Sequence, residues 1–270
     1  MTDTSEQKDT AEFSDQLLYT AAFSIIGFDR MLMAQPKQAV AALLSIDDAI
    51  AKVLDTRFKI KGQQYTVKDF VRVQHMNAKL QCFSTGNTNA DLLSMLHFSG
   101  LFMGELISQH LLVTGALHYG RFVTHTQSNI SAGKAQVMAG LDIELNQWAG
   151  ITCDVSIKEN LDEAILFTGD SSLFSKLSEP LLLEWQVPQI RQVFDGLSDT
   201  NRWVIDWPRL NLELFEKIRH YQMADFYYGY EHLYGSFEQL SKRETVIFEN
   251  TLTFINNSLS NTVKLYNLSV

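Results

Sequence analysis

Leu17-Leu18-Tyr19-Thr20-Ala21-Ala22-Phe23-Ser24-Ile25-Ile26-Gly27-Phe28 is a nearly continuous apolar run that ends at a glycine. Such a run lacks the alternation of a half-exposed strand, so it reads as a strand buried on both faces, the centre of a sheet. Before it, residues 1–14 are rich in Thr, Ser, Asp and Glu and are expected to form a flexible tail. After Pro36, Val40, Leu43, Leu44, Ala51, Val53 and Leu54 recur at helical spacing, which predicts an amphipathic helix over about 36–56.

Further out, Gly62 can turn a short hairpin between Phe58-Lys59-Ile60 and Tyr65-Thr66-Val67. Ala78 to Phe83 reads as a strand. The polar turn Ser84-Thr85-Gly86-Asn87-Thr88-Asn89 then leads into a helix with Asp91 in its first turn, where a negative charge suits the dipole. Leu112 to Leu117 is predicted as a strand, Tyr119-Gly120 as a turn, and Arg121 to Thr124 as the hairpin partner. Gly133 opens a helix to about Trp148, and Ile151 to Ile157 closes the pattern as a strand. The order predicts an α+β sheet with helices on one face.

The last third differs. Leu181 to Val187 and Trp203 to Trp207 are candidate edge strands, Pro208 suits the first turn of a helix to about Tyr221, and Tyr230 to Leu265 carries one or two long helices. The expected organisation is a tail at 1–14, a core at 15–160 and a mostly helical extension at 161–270.

Composition limits the function. The 270 residues are 46% hydrophobic and 20% charged, which excludes a mostly disordered chain. With 22 basic against 31 acidic residues the net charge is −9, the wrong sign for a protein whose task is neutralising phosphates, so nucleic acid is not an expected partner. Cys82 and Cys153 lack metal or disulfide spacing and read as buried thiols. No signal-peptide pattern opens the chain. The most apolar stretch, Phe98 to Leu117, is interrupted by Glu105, Gln109 and His110, so no membrane partner and a cytoplasmic location are expected.

Phe23-Ser24-Ile25-Ile26-Gly27-Phe28 resembles the F-x-D-I-L-G-F start of a bacterial group of class III nucleotide cyclase-like proteins. Cys82-Phe83-Ser84-Thr85 is similar to that group's F-S-D, and Thr114-Gly115-Ala116-Leu117-His118-Tyr119-Gly120 to its R-G-G-I-x-Y-G. Gly133-Lys134-Ala135 matches the start of its G-x-A helix, and Trp203-Val204-Ile205-Asp206-Trp207 its C-terminal extension. The resemblance implies a ferredoxin-like βαββαβ core that pairs head to tail with a second copy or a cyclase-like partner.

It also implies two metal-binding aspartates, because attack of a ribose hydroxyl on a phosphorus needs the hydroxyl activated and the triphosphate charge clamped. Ser24 stands at the first position. The second falls on Thr85, or on Asn87 if a G-D turn is aligned, and no carboxylate occurs between Lys79 and Ala90. Thr114 replaces the group's arginine, and the helix after Gly133 lacks its asparagine and arginine. The expectation is a cyclase-fold protein without two-metal chemistry, acting as a binding, regulatory or structural subunit. No cofactor is expected, with Mg²⁺ or Mn²⁺ entering only if a partner completes a composite site. Two other readings stay open, that half-site and a helix-rich interaction module. His118, Arg121 and Lys134 are candidate anion contacts, with His118 and Arg121 read as exposed residues beside a turn. Phe226-Tyr227-Tyr228-Gly229-Tyr230 with Tyr234 is an aromatic block suited to a core or interface more than to a nucleobase.

Overall fold

A computed structural model describes residues 13–60, 63–76, 78–125, 130–168, 181–190, 201–211, 218 and 221–266. The predicted central strand is there: β1 (Phe13–Ile25) pairs antiparallel along its whole length with β6 (Val113–His125), from Phe13 opposite His125 to Ile25 opposite Val113. Its other edge pairs with β5 (Lys79–Ser84), which pairs with β4 (Val71–Met76). The connection from β1 to β4 carries α1 (Phe28–Ala34), α2 (Pro36–Leu54) and a separate hairpin, β2 (Arg57–Ile60) and β3 (Gln63–Thr66). From β5 to β6 runs α3 (Asn89–Ser108).

The unit β1-α2-β4-β5-α3-β6, with strand order β4-β5-β1-β6, is the βαββαβ arrangement of a ferredoxin-like fold. Beyond β6 the sheet continues through β8 (Ile151–Cys153), parallel to β6, then β10 (Asn201–Ile205) and β9 (Leu182–Gln186). The presence of this sheet removes the helix-rich module reading. Two strands of the last third therefore belong to the same sheet as β1, and β10 is an interior strand.

Both faces of β1 are covered, which explains its unbroken apolarity. Tyr19, Ala21, Phe23 and Ile25 enter the main core with α2 and α3, while Ala22 joins Ala116, Ala139 and Ile143 under α4 (Lys134–Leu145). Helices thus lie on both faces, not one. The small side chains of Ala22 and Ala116 let α4 sit close to the strands.

The predicted turn at Tyr119-Gly120 is absent. β6 runs straight through it and turns back later, to β7 (Ile130–Gly133), because β1 is long enough to pair with all thirteen residues of β6. The strand predicted at Ile151 to Ile157 stops at Cys153, and α5 (Val155–Thr168) begins two residues on. β4 has no counterpart among the predicted elements.

By length and composition α3 could cross a membrane, yet 78% of that window is buried inside the protein. It is apolar all round because the sheet, α2, α5 and α6 (Trp207–Leu210) surround it. Of the helix predicted from Pro208 to about Tyr221, α6 covers the start, and residues 212–217, 219 and 220 lie outside those described. The C-terminal block gives α7 (Met223–Tyr228), α8 (Glu231–Tyr234) and α9 (Lys242–Tyr266). Phe226, Tyr227, Tyr230 and Tyr234 bury against Phe248 of α9, so the aromatic block is core, apart from exposed Tyr228. Further along α9, Phe254 meets Trp148 at 4.6 Å and Trp207 at 5.9 Å between ring centroids. Arg30 of α1 pairs with Glu244 at 2.9 Å, and Gly27, at φ 72, makes the left-handed step from β1 into α1.

Gly115 of β6 faces Phe23 of β1, and a Cβ there would lie 2.7 Å from the Phe23 ring. Phe23→Ala is expected to cost about 3–5 kcal/mol and Gly115→Ala about 1–3 kcal/mol in urea unfolding. The double variant should cost less than the sum, since removing the ring removes the clash. Strict additivity would contradict this packing.

Candidate functional site

The end of β1 is where the resemblance places its chemistry. Two hydrogen bonds fix its neighbours: Ile25 N–H donates to the Ala78 carbonyl at 3.0 Å and Ile26 N–H to the Leu112 carbonyl at 2.9 Å. The register sets Lys79 on one side of Ser24 and Thr114 on the other. Directly opposed residues project from the same face of a sheet, so Lys79, Ser24 and Thr114 form one row. Lys79 is exposed and its Nζ lies 3.6 Å from Glu144 Oε1 of α4. One step along, Gln136 of α4 donates to Gln81 of β5 at 2.8 Å. Thr114 is buried, with no hydrogen-bond partner for its hydroxyl among the described residues. Around the strand end on the opposite side lies a small cleft lined by Ser24, Ile46, His75, Lys79, Phe102 and Leu106, with His75 Nδ1 2.8 Å from Asp47 Oδ1.

Thr85 and Asn87 are not brought to Ser24. Ser24 stands opposite the first residue of β5 and Thr85 follows the last, which separates them by six residues, about 20 Å of strand. Thr85 and Asn87 belong instead to the loop that caps α3. The Asp91 carboxylate accepts from Gly86 N–H (2.9 Å), Thr88 N–H (3.0 Å) and the Thr85 hydroxyl (3.0 Å). That carboxylate takes up the positive end of the helix dipole itself. What approaches the end of β1 is the start of β5, Ala78 and Lys79, neither of them a carboxylate.

A hard divalent cation is anchored by carboxylate oxygens. The row offers two hydroxyls and an ammonium, and the acid beside it, Glu144, faces that ammonium. Among the described residues no group of three His, Cys, Asp or Glu side chains could hold a metal ion. The donor set does not fit the two-metal centre.

The anion candidates are also dispersed. His118 lies inside β6, buried at 7% exposure and not beside a turn, with Nε2 2.9 Å from Asp142 Oδ2. Arg121, three residues on and so on the opposite face, is exposed and pairs with Asp15 at 2.7 Å. Lys134 is exposed at the first position of α4. On the outer surface of α4, Val137 and Leu141 are one turn apart and 61% and 50% exposed.

The cluster around Asp142 joins residues distant in the sequence and has no signature in residue spacing. Its Oδ2 also meets Arg202 Nη1 of β10 at 2.9 Å, so β6, α4 and the last third of the chain share one buried carboxylate. Burial alone would raise the Asp142 carboxyl, but the His118 hydrogen bond and the Arg202 charge outweigh it and hold it below the usual carboxylate range.

No protein-family model and no curated protein matches the chain. Solved structures it is similar to include the adenylyl cyclase CyaB from P. aeruginosa, at 10% identity over 72% of this chain and 95% of that one, with a TM-score of 0.47. The guanylyl cyclase Cya2 shows 9% identity over 71% and 91%, with a TM-score of 0.46. The adenylate/guanylate cyclase/hydrolase from Silicibacter pomeroyi shows 12% identity over 72% and 98%, with a TM-score of 0.44. The ferredoxin-like order of β4-β5-β1-β6 stands on this chain's own strand pairing.

Asp142→Asn leaves Arg202 and His118 without their anion and is expected to lower stability by about 3 kcal/mol at pH 7. Because the folded carboxyl is depressed, its contribution is complete above the unfolded value of about pH 4 and disappears as pH falls through the lower folded value. Urea unfolding should therefore show the gap between wild type and variant closing in strong acid. A gap that is constant with pH would contradict the ion pairing.

Proposed function

We propose that this chain is a nucleotide cyclase-fold protein that has lost two-metal catalysis and serves as a binding, regulatory or structural subunit of a dimer. One observation carries the reading: the row at the end of β1 sets Ser24 between Lys79 and Thr114. An ammonium opposite the position where a metal-binding aspartate would stand repels a divalent cation and leaves no anion to hold it.

The outer face of α4 supports the same reading. In the resembled group this helix carries an asparagine and an arginine one turn apart that steady the triphosphate. Here the outward residues at that separation are Val137 and Leu141, which can neither hydrogen-bond nor neutralise a phosphate. Exposed aliphatic side chains on one helix face suit contact with a second protein surface, and a second copy of this chain is the partner we assign.

Incubation with ATP, GTP, CTP or UTP and Mn²⁺ is expected to yield no cyclic product. Product at an enzyme-like rate from the chain alone would overturn the loss of catalysis, and product only on adding a cyclase-like partner would establish the composite half-site instead. Sedimentation should give a dimer that Leu141→Asp weakens by roughly tenfold, with an unchanged circular dichroism spectrum. A monomeric wild type would contradict the assigned partner.

A further inference from the structure

The hairpin of β2 and β3 stands apart from the main sheet and from the site at the end of β1. Its two sides differ sharply. On the inner side Phe58 lies 6.0 Å from Tyr65, 6.0 Å from Phe70 and 6.4 Å from the nearly parallel ring of His97 on α3. Burial pushes the His97 imidazole down to about 4, so the ring beneath the hairpin is uncharged at neutral pH. This aromatic seat anchors the hairpin on the body of the protein.

The outer side is basic. Arg57 and Lys59 alternate with Phe58 and are exposed, and the nearby Asp55 carboxyl is held below its usual range by Lys68 and, after it, by the Arg57 charge. Lys68 and Arg72 continue the patch. Lys68 pairs with Asp55 at 2.7 Å, and Arg72 is exposed with its guanidinium donating to the Lys68 carbonyl. Between residues 57 and 72 the sequence holds Arg57, Lys59, Lys61, Lys68 and Arg72 against the single acid Asp69, in a chain whose net charge is −9.

Charged side chains on an exposed hairpin also prevent edge-to-edge association, and either sign would do that. A uniformly basic hairpin on an acidic protein goes further, because it attracts anionic partners to one place. Among the described residues both hairpin strands pair only with each other, which leaves main-chain groups on their outer edges able to take an added strand. Arg57 and Lys59 sit two residues apart, about 7 Å, the repeat of alternate side chains on such a strand. Nucleic acid is the less suitable occupant, since a long polyanion would reach past this short basic stretch into the field of a chain with nine surplus negative charges.

We propose that the β2–β3 hairpin is a docking site for an extended acidic peptide segment of a partner protein, which adds to a free edge with its carboxylates on the side of Arg57 and Lys59. This surface is independent of whether the chain binds a nucleotide.

The test is fluorescence anisotropy on the full chain with a labelled peptide of alternating Glu and Val. Its Lys counterpart and a single-stranded oligonucleotide of similar length serve as competing probes. The acidic peptide should bind, and Arg57→Glu with Lys59→Glu should weaken it by roughly tenfold or more without altering the circular dichroism spectrum. Lys242→Glu with Arg243→Glu, exposed cations at the start of α9, should leave binding unchanged. Failure of the acidic peptide to bind, equal binding by the hairpin variant, loss in the α9 variant, or tighter binding of the oligonucleotide would each overturn the proposal.

Discussion

The structure depends on burying β1 on both of its faces. A strand in that position must carry apolar or small side chains at odd and even positions alike, and Leu18 to Phe23 do so. Odd residues then fill the core under α2 and α3, and even residues form the floor for α4. Because β1 pairs along all of β6, the strands on both sides are held in register by one element, and the row at its end follows from that register. Gly115 shows how tight the arrangement is, since Phe23 occupies the volume its side chain would need.

Charge is distributed around this framework with a consistent logic. Acidic groups are used as anchors inside the fold: Asp91 caps α3, Asp142 joins His118 and Arg202, Asp206 pairs with Arg209 at 2.8 Å, and Glu244 holds Arg30. Each of these carboxylates is met by backbone N–H groups or cations, as burial requires. The place where a cyclase-like reaction would need carboxylates has an ammonium instead. An acid surplus therefore coexists with a strand end unsuited to a divalent cation, and the electrostatics of stability and of chemistry are separate matters in this chain.

Much of the fold was legible because strong periodic signals coincide with burial. The apolar run at 17–28, the helix after Pro36, the paired strands β2 and β3 and the Asp91 cap all appear close to the expected positions. β4 is hard to read from its letters because it is a short edge strand: Val71, Val73 and His75 are buried or half-buried and Arg72 and Gln74 exposed, so only two of its inward residues are apolar. The pairing of β5 with β1 and β4 sets Lys79, at the start of β5, beside Ser24, whereas the letters Phe83-Ser84-Thr85 point to the far end of that strand. The pairing of His118 with Asp142 was hidden for a different reason, since residues separated by 24 positions meet only once α4 has folded over β6. Position in a sequence carries no signal for such a contact.

The most direct measurement is a manganese titration of the purified chain followed by electron paramagnetic resonance, with and without ATP. The account predicts that the signal of free Mn²⁺ survives undiminished at equal concentrations of protein and metal, and that ATP reduces it only as far as ATP does without protein. Uptake of one or two equivalents of Mn²⁺ by the protein, lost on Ser24→Ala, would contradict it.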